Sequence, residues 1–161
     1  MSEETTSFQT VYDMFLSGIT DDMFMELTKE DTEEILQEIL LAAIPNFEFP
    51  RIDIFDVDLD EGKFNNKLTL EEMRILREYM IAEWIGMQIA SVENIRQKYS
   101  SSDFSFTSQA SHLDKLIKLK NEYENKAFRL ERLYRRRKLV DEGYGSTFAQ
   151  IMEPVPNANK V

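Results

Sequence analysis

An all-α fold is what this sequence predicts: a helical bundle with two long antiparallel helices, an extended loop and docking terminal arms. Two stretches, residues 69–99 and 108–138, keep apolar residues at helical spacing over their whole length. At about 1.5 Å rise per residue each helix would run roughly 45 Å, more than a domain of this size needs for its own core. A short, serine-rich polar linker joins the two, and a basic cluster follows the second. Helices that outreach their core bury the remainder against another chain. That points to assembly rather than catalysis.

Residues 1–18 read as an N-terminal arm, with Phe8, Val11, Tyr12, Met14 and Phe15 as sticky points that lack a sustained period. Such an arm packs on its own domain or reaches a neighbour. A helical domain spans 19–142. Thr20 followed by Asp21 and Asp22 is a cap with acids in the first turn, predicting a short helix over 21–27. Thr28 or Asp31 caps the next helix, where Ile35, Leu36, Ile39, Leu40, Ala43 and Ile44 form one apolar stripe. Pro45 ends it.

The stretch 46–68 changes character. Phe47, Phe49, Ile52, Ile54, Val57 and Leu59 mostly alternate with polar residues, and Gly62 with Asn65 and Asn66 supplies turn chemistry. An extended loop or weak hairpin is expected. The capping box Thr69–Glu72 then opens the first long helix. Its apolar positions (Met73, Leu76, Tyr79, Met80, Ile81, Trp84, Ile85, Met87, Ile89, Val92 and Ile95) exceed a single stripe, so this helix is the central one, wrapped by others.

After the linker, Ser111 offers a cap in competition with Thr107 and Ser108. Leu113, Leu116, Lys120, Tyr123, Ala127, Leu130 and Tyr134 then make an imperfect heptad seam against the central helix. Gly143 and Gly145 break the pattern. Residues 143–161 read as a C-terminal docking tail with a small apolar cluster at Phe148, Ile151 and Met152.

Composition narrows the class. The 161 residues fit one modest domain, and 42% hydrophobic with 11% aromatic content argues against wholesale disorder. With no cysteine, neither a disulfide framework nor a thiolate metal site can form. The acidic, polar N-terminus lacks the form of a secretory signal, and the apolar run 35–44 is too short to span a bilayer, so a soluble protein made in a cytoplasm is expected. Residues 1–99 hold 22 acids and 8 bases, whereas residues 100–161 hold 8 acids and 11 bases. An acidic front and a basic back allow head-to-tail contact between copies. The bland alternative is a solvated acidic surface with one basic helix end.

Chemistry-bearing constellations are weak. Asp56, Asp58 and Asp60 start an EF-hand pattern, but its glycine position is Glu61 and its final glutamate position is Lys67. Asp56, Asp58, Asp60 and Glu61 are instead candidates for a channel-lining or inter-subunit loop. Ser111, His112 and Asp114 lie too close along one helix to relay a proton as a triad. Paired acids such as Glu33/Glu34 and Glu71/Glu72 sit in first helical turns, where the helix dipole accounts for them. No enzyme, cofactor or metal is expected. Arg129, Arg132, Arg135, Arg136, Arg137 and Lys138 form the densest single-sign cluster. It complements a helix C-terminus, and arginine forks also suit carboxylates and phosphates. With Phe148, Ile151 and Met152, these six are the candidate partner-binding residues. A regulatory nucleic-acid-binding module using the arginines is the rival reading, and calcium binding a third. The strongly acidic balance favours an acidic protein partner over nucleic acid.

Three segments carry a resemblance: ITDDMFMELTKEDTEEILQEILLAAIPNFEFPR, LTLEEMRILREYMIAEWIGMQIASVENIRQKYS and FTSQASHLDKLIKLKNEYENKAFRLERLYRRRK. In overall pattern they resemble the head–tail connector, or head-completion, proteins of tailed bacteriophages. The resemblance implies a structural virion protein of the neck that forms a dodecameric ring beneath the portal, extends the DNA channel and contacts tail proteins. Double-stranded DNA would pass through such a ring without specific binding, and no membrane is involved. The ring would act in genome ejection.

Overall fold

The structure is a computed structural model that describes residues 5–19, 27–98, 106–140 and 143–146. Those residues are mostly helical, with two small sheets. The chain enters through a two-residue strand, β1 (Thr6–Ser7), and passes directly into helix α1 (Phe8–Leu16). Ser7 caps it, its hydroxyl accepting from the Gln9 backbone N–H at 3.2 Å. Phe8, Val11, Tyr12 and Phe15 follow i, i+3, i+4, i+7 spacing, and all four are buried. Burying such side chains is worth roughly 1.5–3 kcal/mol each. Of the two roles open to this segment, the structure shows the first over these residues: it packs into its own core.

The short helix predicted over 21–27 falls almost wholly outside the described residues. Helix α2 (Lys29–Ala43) starts at Thr28, whose Oγ1 accepts from the Asp31 N–H at 3.1 Å. Of the two predicted caps, Thr28 is the one used. Leu36, Ile39, Leu40 and Ala43 bury the predicted stripe, and Pro45 converts the end into a single 3-10 turn, Ile44–Asn46.

The following stretch forms a small hairpin. Strand β2 (Val57–Asp58) pairs antiparallel with β3 (Lys63–Phe64), and Gly62 turns the chain at φ 62°, the left-handed region that favours glycine. Strand β1 covers the other edge of β3, giving the order β1-β3-β2 with Thr6 opposite Phe64. The Phe8 and Phe64 rings meet edge to face at 5.0 Å. Phe47, Ile54, Phe64 and Leu68 are buried, so the loop is pinned to the core at four points.

Helix α3 (Leu70–Lys98) and helix α4 (Phe106–Arg136) match the two predicted long helices to within two residues at each end. The capping box at the start of α3 is reciprocal: the Thr69 N–H donates to Glu72 Oε2 at 2.8 Å, and the Glu72 N–H donates to Thr69 Oγ1 at 3.3 Å. Helices α1, α2 and α4 all pack on α3, burying Ile75, Leu76, Met80, Ile81 and Ile85. Contacts between α3 and α4 run in opposite order along the two, from Glu72 with Tyr134, through Glu78 with Lys126, to Gly86 beside Lys120. A Cβ added at Gly86 would lie 3.3 Å from Lys120 Cε, a close approach that glycine permits.

Beyond Gly86 the burial weakens. Leu113 stays buried on α4, but Met87 and Ile95 on α3 and Ile117 and Leu119 on α4 are each at least 40% exposed. At the other end, α4 gives way to strand β4 (Arg137–Val140), which pairs antiparallel with β5 (Gly143–Ser146). The sequence placed residues 137 and 138 in the helix and started a tail at 143. Residues 143–146 instead pair with β4 as a strand that contains both glycines, Gly143 opposite Val140 and Gly145 opposite Lys138. Among the described residues no helix is long and apolar enough to cross a membrane.

Phe15→Ala is expected to lower folding stability by about 3–5 kcal/mol, measured by urea denaturation, since it empties a fully buried site on α1. A detached arm would leave stability unchanged.

Candidate functional site

Three glutamates are buried along α3 and α4: Glu78 and, where the 47–51 segment meets both helices, Glu72 and Glu131, none more than 2% exposed. Buried carboxylates are costly unless their oxygens find donors. Here they do. Glu72 Oε2 accepts from the Thr69 N–H and hydroxyl, each at 2.8 Å, and Glu72 Oε1 accepts from the Tyr134 hydroxyl. The Tyr134 oxygen in turn accepts from the Arg51 N–H at 2.8 Å. Glu131 Oε1 accepts from the Phe49 N–H at 3.0 Å, and its Oε2 from the Tyr79 hydroxyl at 2.9 Å. Glu78 is held between Arg77 at 3.2 Å and the Lys126 ammonium at 2.9 Å.

Arg51 closes this clasp. Its guanidinium lies 4.0 Å from the centre of the Tyr134 ring and donates to the carbonyls of Tyr134 and Arg137. Those carbonyls lie in the last turn of α4 and just past it, where a helix leaves acceptors without intrahelical donors. A loop arginine thus does what a residue of the helix itself often does, placing positive charge at the negative end of the dipole. Phe47 adds an edge-to-face contact with Tyr134 at 5.6 Å.

The tyrosines respond to this setting. Burial, reinforced by the hydrogen bond to Glu131, pushes the Tyr79 hydroxyl well above its ordinary pKa. Burial and then the bond to Glu72 do the same for Tyr134, with Arg51 opposing. Tyr12 is pushed up to about 12, by burial first and by the Glu33 charge second.

The predicted partner-binding cluster divides. Arg129, Arg132 and Arg136 are exposed. Arg135 stacks 3.9 Å over the Phe49 ring, and Arg137 pairs with Glu71 at 2.6 Å, so these two are engaged within the chain. The Lys138 side chain and residues Phe148, Ile151 and Met152 lie outside what the structure describes. The loop residues are occupied by the hairpin: Asp56 Oδ1 accepts from Asn65 at 2.7 Å, and Asp58 Oδ1 accepts from the N–H groups of Asp60 and Glu61 at 3.1 and 3.0 Å. Glu61 pairs with Lys63. Ser111, His112 and Asp114 are all exposed.

The sequence reading did not anticipate the clasp. Glu72 was visible only as a capping residue, and Glu131 and Arg51 carried no local signal. It also missed a groove of about 460 Å³ beside the clasp, lined by Thr69, Leu70, Ile75, Leu130 and Leu133, with Glu71, Arg74 and Arg137 at the rim. The groove is open and apolar, and no group of acids or histidine among the described residues could hold a metal ion. No family model matches this chain, and no curated protein or solved structure is significantly similar to it.

Tyr134→Phe is expected to cost about 1–3 kcal/mol, because it strips a buried carboxylate oxygen and a part-buried N–H of their shared partner. The same variant tests the pH dependence. A tyrosine whose pKa rises on folding binds its proton more tightly in the native state. Stability is therefore intact below about pH 10, where unfolded tyrosine ionises, and falls as pH rises above it. Urea midpoints between pH 8 and 11.5 should decline less steeply in Tyr79→Phe and Tyr134→Phe than in the parent.

Proposed function

We propose that this chain is a structural subunit of a phage neck ring that joins the capsid portal to the tail and extends the DNA channel. The reading takes the two long helices as an antiparallel pair, with the core at one end and an outlying half that meets other subunits. The single observation that carries it is the exposure of Met87, Ile95, Ile117 and Leu119 on the part of α3 and α4 beyond the core. Apolar positions left exposed along extended helices offer surface for protein contact. The segments that resemble head–tail connectors supply the specific identity, the expected dodecamer and the virion neck as its place. The split of acidic front from basic back supports a heterologous, ring-closing contact, with Arg129 and Arg132 exposed toward a neighbour's acids. An acidic channel wall lets duplex DNA slide by without adhering.

Native mass spectrometry, alone and with the portal ring, tests the proposal. The parent is expected to form a ring or to join the portal. Ile95→Asp combined with Ile117→Asp should abolish that association while changing monomer stability by no more than about 0.5 kcal/mol, as exposed sites do. Strictly monomeric behaviour in both settings overturns the reading. Retention on DNA at low salt that vanishes with Arg129→Ala and Arg132→Ala would favour a nucleic-acid-binding module instead.

A further inference from the structure

The proposed assembly does not use the groove beside the clasp. Its floor is Ile75 and Leu130, its walls Leu70 and Leu133, and both wall residues are exposed, Leu70 at 71%. Apolar concavities of several hundred Å³ with a few polar groups at the rim are the usual form of a binding site. The register of the terminal hairpin shows what emerges next to this one. Arg137 pairs with Ser146, Lys138 with Gly145, Leu139 with Tyr144 and Val140 with Gly143. Strand β5 therefore runs back toward the end of α4 and finishes at Arg137, itself a rim residue of the groove. The chain beyond Ser146 thus starts at the groove's edge.

We infer that the groove is the seat of the chain's own C-terminal segment, residues 147–153, bound in cis. The segment reads Thr-Phe-Ala-Gln-Ile-Met-Glu. Phe148, Ile151 and Met152 stand at i, i+3 and i+4, the spacing of anchors that enter a groove from one face of a helical turn. From Leu130 to Arg137 the groove extends about 10 Å along α4, a reach two turns of helix would cover. Glu153 then follows the anchors, and the rim offers Arg74, which is exposed and has no ion pair among the described residues. Pro154 ends any helical turn directly after it. A segment that begins at the groove's edge reaches it at high effective concentration, so a few apolar contacts suffice. The inference stands whether or not the chain assembles into a ring.

The absence of native cysteine makes a direct test available. In the full chain, Leu133→Cys is combined with Phe148→Cys, and separately Leu70→Cys with Ile151→Cys; Lys118→Cys with Ile151→Cys is the control. A disulfide needs Cα atoms within about 7 Å, so oxidation at low micromolar concentration reports seating directly. The expected result is an intramolecular crosslink in at least one groove pair, at least tenfold faster than in the control and slowed by Glu153→Arg. Circular dichroism checks that each variant is folded. Crosslinking mainly between molecules would make the occupant a second copy and overturn the inference. Equal rates in groove and control pairs would overturn it too.

Discussion

The structure depends on one constraint: the carboxylate of Glu72 is buried and must be satisfied from three directions at once. Thr69 supplies a backbone N–H and a hydroxyl, and Tyr134 a second hydroxyl from another helix. Because Tyr134 also accepts from Arg51, the start of α3, the end of α4 and the loop after α2 are fixed by a single chain of hydrogen bonds. None of these bonds is strong on its own terms, since each replaces one with water. What makes them decisive is the penalty for leaving a buried carboxylate unpaired, which falls on any arrangement that separates the three segments.

The second carboxylate repeats the arrangement one turn away. Glu131 joins α4 to Tyr79 of α3 and to the backbone at Phe49, so the same three segments are tied twice. Between the two ties lie the rings of Phe47 and Tyr134, and the guanidinium of Arg51 lies over the latter. Polar specificity and apolar packing therefore occupy the same few ångströms. This also explains why the 47–51 segment holds a fixed course without a strand or helix of its own: its N–H groups are used by α4 side chains.

Most of the helical framework was legible in the sequence. The Thr69–Glu72 box, the Thr28 cap and Pro45 marked boundaries through local chemistry, and local chemistry is what a sequence displays. Helix α1 was not recognised because its four buried residues were read for a long period, and the helix is only nine residues long. The terminal hairpin was missed because an arginine-rich helix end gives no sign of where it turns extended. The clasp was hidden for a different reason. An acid in a sequence reads as surface, and nothing near Glu131 or Arg51 says that each meets the other's helix or loop across some eighty residues of chain. Such pairings belong to the tertiary structure alone.

The clasp has a mechanical consequence for the long helices. Packing and hydrogen bonds grip α3 up to about Ile85, and the remaining stretch to Lys98 projects roughly 20 Å at the usual rise. That geometry is a cantilever anchored at the polar joint. A tilt of a few degrees at the joint moves the far end by about an ångström or more over that length. The polar joint and the apolar packing that runs on to Ile85 together therefore set how far the tip can swing.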